Sequence, residues 1–318
     1  MYSFIILIFL SLASKFKHVS TATSSTYKKL TLNNIDTSSA SQSQYLIIKF
    51  NTFDKIKCLS KCNSLSECSI SLYSIQTTEC VLANVNAYKY LYQSSQNKFS
   101  VYLKTQSLSI GLIHYWSFNG NVYDSVGGAN LYGGLNAALT SDRFNKPQSA
   151  LGLYNGFYTL PNGVYFNSNY SVTLWVKARS FNANSRIIDV GNGEYNSNVI
   201  IHLTKGVSGC LQQEFYVGNS YESNSETSKP LTLNKWQHVA FTQSNSKGSI
   251  YIDGVLETSA FYAASNKNPS GEIRSLNHIG KSSWASDGLA DADFDEIKIY
   301  NRELSYQEVL NDLFESFN

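Results

Sequence analysis

Three carboxylates alternate in the run Asp291-Ala292-Asp293-Phe294-Asp295. Alternate residues of an extended strand share one face, and two carboxyl groups held roughly 5 Å apart are the acid and nucleophile of retaining glycoside hydrolysis. Asp291, Asp293 and Asp295 could therefore do acid and base chemistry if one strand carried all three. The preceding Gly288-Leu289-Ala290 reads as loop, which makes Asp291 and Asp293 solvated loop residues and leaves Asp295 in a strand from Phe294 to Tyr300. Alternation there groups Asp295 with Ile297 and Ile299, and puts Glu296, Lys298 and Tyr300 on the other face. An ionised carboxylate among isoleucines is costly unless it is paired, hydrogen-bonded or metal-bound, so Asp295 needs a partner. A second carboxylate, Asp124, lies in a loop with Gly127 and Gly128. There it can cap a turn by accepting backbone N–H groups, as Asp295 can in its own strand.

No other catalytic set emerges. His18, His114, His202, His238 and His278 are dispersed, and neither GxSxG nor HExxH accompanies them. Flat rings are the remaining place for a ligand, because sugars stack on them and protein partners use them as anchors. Trp175 sits mid-strand, opposite in face to Val172, Leu174 and Val176. Trp236 opens its strand and is expected to pack, whereas Trp284 lies in the loop Gly280–Gly288 beside Asp287. Trp284, Asp287 and Trp175 are the candidate ligand-binding residues. Core packing is the competing explanation for any single Trp.

These residues sit on an all-β scaffold. From Leu112 onward, about ten short alternating runs punctuated by Gly and Asn suit two packed sheets. Asn155-Gly156 and Asp253-Gly254 accept the positive φ of tight primed turns and predict two hairpins. A helix follows at the end, with Ser305 and Glu308 spaced as a capping box. Cys210 is the odd cysteine; it is expected to be buried and free, a link between two chains being the alternative. Asn169-Tyr170-Ser171 is an N-glycosylation sequon just ahead of a strand, with Asn169 as acceptor.

The other four cysteines, Cys58, Cys62, Cys68 and Cys80, cluster before this region. Their spacing, with no nearby His, does not match the CxxC pairs of zinc sites and favours a disulfide framework, for which four cysteines permit three pairings. Phe53, Ile56, Leu59, Cys58 and Cys62 are spaced for a helix face. Short β-type runs follow in residues 69–75, 79–85 and 97–104. Upstream, residues 23–43 are Ser- and Thr-rich and are expected to form a flexible leader. The apolar run Phe4–Leu12 is too short to span a bilayer and suits the core of a signal peptide over residues 1–22, with small residues at Ser20 and Ala22 and again at Ser11 and Ala13. Charged residues make up only 15% and the net charge is +2, so no global field draws in nucleic acid or an anionic membrane.

A helix with CxxxC, a Cys opening a strand and a Cys-Val-Leu strand resemble the PAN/apple fold over residues 44–104. The resemblance implies Cys58 paired with Cys80 and Cys62 with Cys68; the family's outer pair is absent. The motifs YWSFNGNVYDSVGG, ALGLYNG, SVTLWVK, KWQHVAFT, IYIDGVL and FDEIKIYNREL come in the order of the laminin-G-like, concanavalin A-like jelly roll, which they resemble over residues 111–315. That resemblance implies neighbouring first and last strands, and a Ca²⁺ held by Asp124, loop carbonyls and Asp295. Glucanases of this fold carry glutamates at the outer two of their alternating carboxylates, where this chain has the shorter Asp. The expected protein is mainly β: a small disulfide-linked α+β domain followed by a β-sandwich jelly roll. It would be a secreted, extracellular, non-catalytic binding protein that recognises a glycan or extracellular protein. A glycoside hydrolase using Asp291, Asp293 and Asp295, or a structural matrix component, are the competing readings.

Overall fold

The computed structural model describes residues 27–35, 46–52, 55–65, 68–74, 76, 78–84, 97–104, 108–244, 247–261 and 268–315. The expected signal peptide, 1–22, lies outside them. Strands β1 (Tyr27–Ile35), β2 (Leu46–Asn51), β3 (Ile70–Tyr73), β4 (Glu79–Ala83) and β5 (Asn97–Lys104) form an antiparallel sheet in the order β1-β5-β3-β4-β2, with helix α1 (Lys55–Asn63) packed on β3 and β4. Within the expected leader over 23–43, residues 27–35 form β1, which pairs with β5 from Tyr27 opposite Lys104 onward, and the rest of that leader lies outside the described residues. Leu30 and Leu32 alternate with Lys29, Thr31 and Asn33, a period of two that the Ser- and Thr-rich surroundings hide.

Cys58 bonds Cys80 and Cys62 bonds Cys68, with Cα–Cα distances of 5.7 and 5.2 Å; these are the pairs the resemblance implied. Cys58 and Cys62 lie one helical turn apart, so one face of α1 carries both bridges into a core with Tyr73 and Leu82. Ile56 is not part of that face: it is exposed, two residues and therefore over half a turn from Cys58.

The second region contains β6 (Leu112–Trp116), β7 (Tyr132–Thr140), β8 (Ala150–Thr159), β9 (Tyr170–Ala178), β10 (Arg186–Gly191), β11 (Val199–His202), β12 (Cys210–Val217), β13 (Ser220–Pro230), β14 (Gln237–Ser244), β15 (Lys247–Ile252), β16 (Val255–Phe261), β17 (Leu276–Ile279), β18 (Ala290–Tyr300) and helix α2 (Tyr306–Glu315). The hydrogen-bonded path is β13-β12-β11-β10-β17-β8-β18-β9-β14-β15-β16, with β6 on β18 and β7 on β8. The sheet curls until β13 lies close to β15 and β16, which makes a sandwich. Val172, Leu174 and Val176 of β9, Phe241 of β14, Phe294 of β18, Ile201 of β11 and Phe215 of β12 fill the space between its layers. No helix among the described residues is long and apolar enough to cross a membrane.

First and last strands are neighbours: Trp116 of β6 faces Ile297 of β18. Strand β18 also carries a bulge. Asp295 faces Trp175 of β9 but Lys298 faces Thr173, and Glu296 adopts φ 55°. One extra residue shifts every later side chain to the other face. Phe294 and Ile297 therefore both enter the core, and Asp295 does not share a face with Ile297 and Ile299 as strict alternation requires. The strand also begins at Ala290, so Asp291 and Asp293 are strand residues and not solvated loop.

Asp253-Gly254, at φ 49° and 74°, forms the expected β15–β16 turn. Asn155-Gly156 does not form a turn. Asn155, at φ 51°, makes a bulge inside β8, and a Cβ at Gly156 would stand 2.3 Å from the Asn136 carbonyl oxygen. The dipeptide's tolerance of positive φ is spent on a bulge. The capping box of α2 is formed: Ser305 N donates to Glu308 Oε2 at 2.8 Å and Glu308 N to Ser305 Oγ at 3.3 Å. Cys210, the free cysteine, opens β12 half-buried rather than fully buried, and Asn169 is half-buried in the bend before β9.

Candidate functional site

On the outward face of β18, Asp291, Asp293 and Asp295 form the row that alternation dictates. Trp175 and Lys177 of the adjoining strand β9, with Arg179 just past its end, meet it. Arg179 Nε lies 2.8 Å from Asp291 Oδ1, its Nη1 bonds Asp293, and Lys177 Nζ lies 2.7 Å from Asp293 Oδ2. Asp295 Oδ2 accepts from Arg143 Nη1 at 2.5 Å. Burial, aided by the charges of Glu296 and Asp142 and opposed by Arg143, pushes the Asp295 carboxyl up to about 7. The row is an ion-pair ladder that fastens β9 and the loop between β7 and β8 to β18.

The cations also cover the rings. Arg143 Cζ stands 4.7 Å from the Trp175 ring centre and Arg179 Cζ stands 4.4 Å from that of Tyr154. Trp175 faces outward as its alternation indicates, yet it is only 6% exposed because a guanidinium roofs it. It offers no open ring to a ligand.

Asp124 is also committed. Its Oδ1 accepts from the backbone N–H groups of Tyr115, Val126 and Gly127 at 2.9–3.0 Å. Its Oδ2 accepts from Ala129 N at 2.9 Å and lies 2.7 Å from His114 Nδ1. Burial acts against these bonds, but the bonds win and hold the carboxyl well below the usual range. Five donors on one carboxylate, with Asp295 held by a guanidinium, do not fit the Ca²⁺ implied for this pair. Among the described residues no group of three or more His, Cys, Asp and Glu side chains is placed to hold a metal.

The aromatic surface lies on the opposite layer. Trp284, in the loop between β17 and β18, meets Tyr195 of the β10–β11 loop edge-on at 5.1 Å and lies 6.2 Å from Tyr216 of β12. Tyr216 in turn contacts Tyr195 at 5.8 Å and Tyr221 of β13 at 5.3 Å. Tyr195 and Tyr221 are about half exposed, while Tyr216 forms the floor.

The loop is held by its own polar residues. Ser282 Oγ donates to Asp287 Oδ2 at 2.8 Å, Trp284 N donates to Ser282 Oγ at 3.1 Å, and Asn184 Nδ2 donates to Asp287 Oδ1 at 3.2 Å. Beneath the rings runs a buried network. Arg186 Nη2 donates to Asp287 Oδ2 at 2.7 Å, and Arg186 Cζ lies 5.7 Å from the Trp284 ring centre. His202 Nε2 lies 3.0 Å from Glu214 Oε1, and Asp189 accepts from Ser283 N at 2.9 Å and Asn198 Nδ2 at 3.1 Å. Burial, reinforced by Arg186, lowers His202 to about 4. Burial raises the Glu214 carboxyl, but the His202 hydrogen bond and the charges of Lys205 and Arg186 outweigh it and leave Glu214 lowered.

Of the expected ligand residues, Trp284 and Asp287 share this surface and Trp175 lies in the ladder. Tyr195, Tyr216, Tyr221, Arg186, His202 and Glu214 were not foreseen. One signal was present: Gln212, Glu214 and Tyr216 alternate with Leu211 and Phe215, which marks them as one outward face.

A curled antiparallel sandwich with paired first and last strands is a jelly roll. Residues 153–310 match the concanavalin A-like lectin/glucanases superfamily, laminin G type. No curated protein matches the chain. Among solved structures it is similar to domain 4 of AbnA, a GH43 extracellular arabinanase from Geobacillus stearothermophilus in complex with arabinotriose, at 22% identity and TM-score 0.49 over 64% of this chain and 98% of that one. It is similar to the binding domain of botulinum neurotoxin serotype G at 17% identity and TM-score 0.47, over 64% of this chain and 51% of that one. For Trypanosoma rangeli sialidase the values are 17%, 0.44, and 65% and 33% coverage. The chain thus spans about half of the neurotoxin domain and a third of the sialidase.

Proposed function

We propose that this is a secreted, non-catalytic binding protein whose jelly roll recognises a glycan on the surface of Trp284, Tyr195, Tyr216 and Tyr221, accompanied by a PAN/apple-like module in the disulfide-bonded region. The observation that carries the reading is the convergence of four rings from four separate segments over one buried polar network. Rings offer stacking area to sugar C–H faces, and Asp287 and Glu214 beside them offer acceptors for sugar hydroxyls. The pairing of all three Asp of β18 with Arg or Lys supports placing the function here rather than on that strand.

A glycan array tests the proposal. Reproducible binding by the wild type, lost in Trp284→Ala and kept in Trp175→Phe, supports it. Hydrolysis of a bound glycan that disappears in Asp293→Asn would overturn the non-catalytic reading. An array without signal would leave an extracellular protein as the partner to seek.

A further inference from the structure

We propose that the glycan held at this surface carries no anionic group; this rests on the glycan-binding reading above. The argument is one of charge placement. Arg186 lies directly under the rings, and both its terminal nitrogens are engaged: Nη1 donates to the Asn184 carbonyl at 2.5 Å and lies 2.6 Å from His202 Nδ1, while Nη2 donates to Asp287. It is 3% exposed and Trp284 covers it. His202 adds no second positive charge, because burial and Arg186 hold it neutral at physiological pH.

Carboxylates, in contrast, accompany the rings. Glu214 stands two residues before Tyr216 on the same strand face, and Asp287 three residues after Trp284 in the same loop. The sequence adds Glu194 beside Tyr195. Two lysines lie nearby: Lys205, on the loop after β11, acts on Glu214, and Lys281, three residues before Trp284, holds its Nζ 4.7 Å from the centre of the Phe157 ring. A sialyl carboxylate or a sulfate stacked on Trp284 or Tyr195 would shed water beside these carboxylates, and the guanidinium directly under the rings is already engaged. A neutral sugar meets the opposite situation, since its hydroxyls donate to carboxylate oxygens in charge-assisted bonds.

The experiment uses the full chain on an array of lactose-terminated glycans and the same glycans sialylated or sulfated on the terminal galactose, with Trp284→Ala and the conservative Trp284→Phe alongside. The expected result is that the anionic derivatives bind roughly tenfold or more weakly than their neutral parents. Neutral binding should also be nearly unchanged between about 0.05 and 0.5 M NaCl. Trp284→Phe should retain most of it and Trp284→Ala lose it. Anionic derivatives that bind as well as or better than their parents, still dependent on Trp284, overturn the charge rule and leave the glycan-binding reading standing. Binding of all probes that ignores Trp284→Ala, or no binding, removes the reading itself and this proposal with it.

Discussion

Nη1 of Arg186 stands 2.6 Å from Nδ1 of His202. A guanidinium only donates, so Nδ1 is the acceptor and the ring proton sits on Nε2, where it is donated to Glu214 at 3.0 Å. One buried cation thus fixes a histidine tautomer on one side and, through Asp287, the loop that carries Trp284 on the other. The ring surface and the network under it form one unit.

Removing that cation should be costly. Arg186→Met leaves Asp287 and the fully buried Asp189 without their guanidinium, and breaking a buried charge pair destabilises by about 3–5 kcal/mol. Urea denaturation of variant and wild type measures this; a difference below about 1 kcal/mol would show that the network is not held together by Arg186.

The same contact sets a pH dependence. His202 titrates at about 4 in the folded protein against 6.5 in the unfolded chain, so between these values the unfolded state binds a proton that the folded state refuses. Its contribution is therefore full above pH 6.5 and lost as pH falls towards 4. His278, lowered to about 4 by burial and then Lys281, acts in the same direction. The stability difference between wild type and His202→Gln should shift against the wild type on going from pH 7 to pH 4.5. Parallel profiles for the two proteins would contradict the burial of a neutral imidazole.

How far these sites were legible in the sequence depends on how local their causes are. The Ser305–Glu308 cap and the Asp253-Gly254 turn involve residues one to three apart, and both formed as read. The Asn155-Gly156 pair carried the right conformational preference, but the strand against which it bulges is β18, where Ala290 faces Gly156 and Asp291 faces Tyr154, far along the chain. The bulge at Glu296 reversed the face of Asp295 relative to Ile297, and a period-two reading has no room for an inserted residue. Strands β7 and β13 carry little trace in the sequence: β7 is largely exposed and β13 is rich in Ser and Glu, so neither shows apolar alternation. Trp284 was legible as a loop aromatic, whereas Tyr195, Tyr216 and Tyr221 join it only through pairings across long stretches of chain.

Asp295 should respond to pH in the sense opposite to His202. Its folded value of about 7 lies above the ordinary 3.8, so its neutral form favours the folded state. That contribution is fully present below 3.8 and lost as pH rises through 7. Asp295→Asn, which cannot ionise, should therefore gain on the wild type between pH 4 and pH 8. Melting temperatures of both proteins across this range provide the check. A constant offset would mean that the Arg143 ion pair fully compensates the burial of the carboxylate.

The commitment of Asp124 bears on calcium. Dialysis against a chelator followed by added Ca²⁺ should leave the melting temperature unchanged, because the carboxylate's two oxygens already accept from four backbone N–H groups and face His114. Asp124→Ala should cost about 1–3 kcal/mol regardless of metal, since buried donors lose their acceptor and the loop after β6 loses its anchor. The carboxyl's lowered value sets the sign for acid: its contribution is present above 3.8 and lost as pH falls below it. A rise in melting temperature with Ca²⁺ that vanishes in Asp124→Ala would show that the loop opens to bind a cation, and the hydrogen-bonded arrangement would then be the metal-free form.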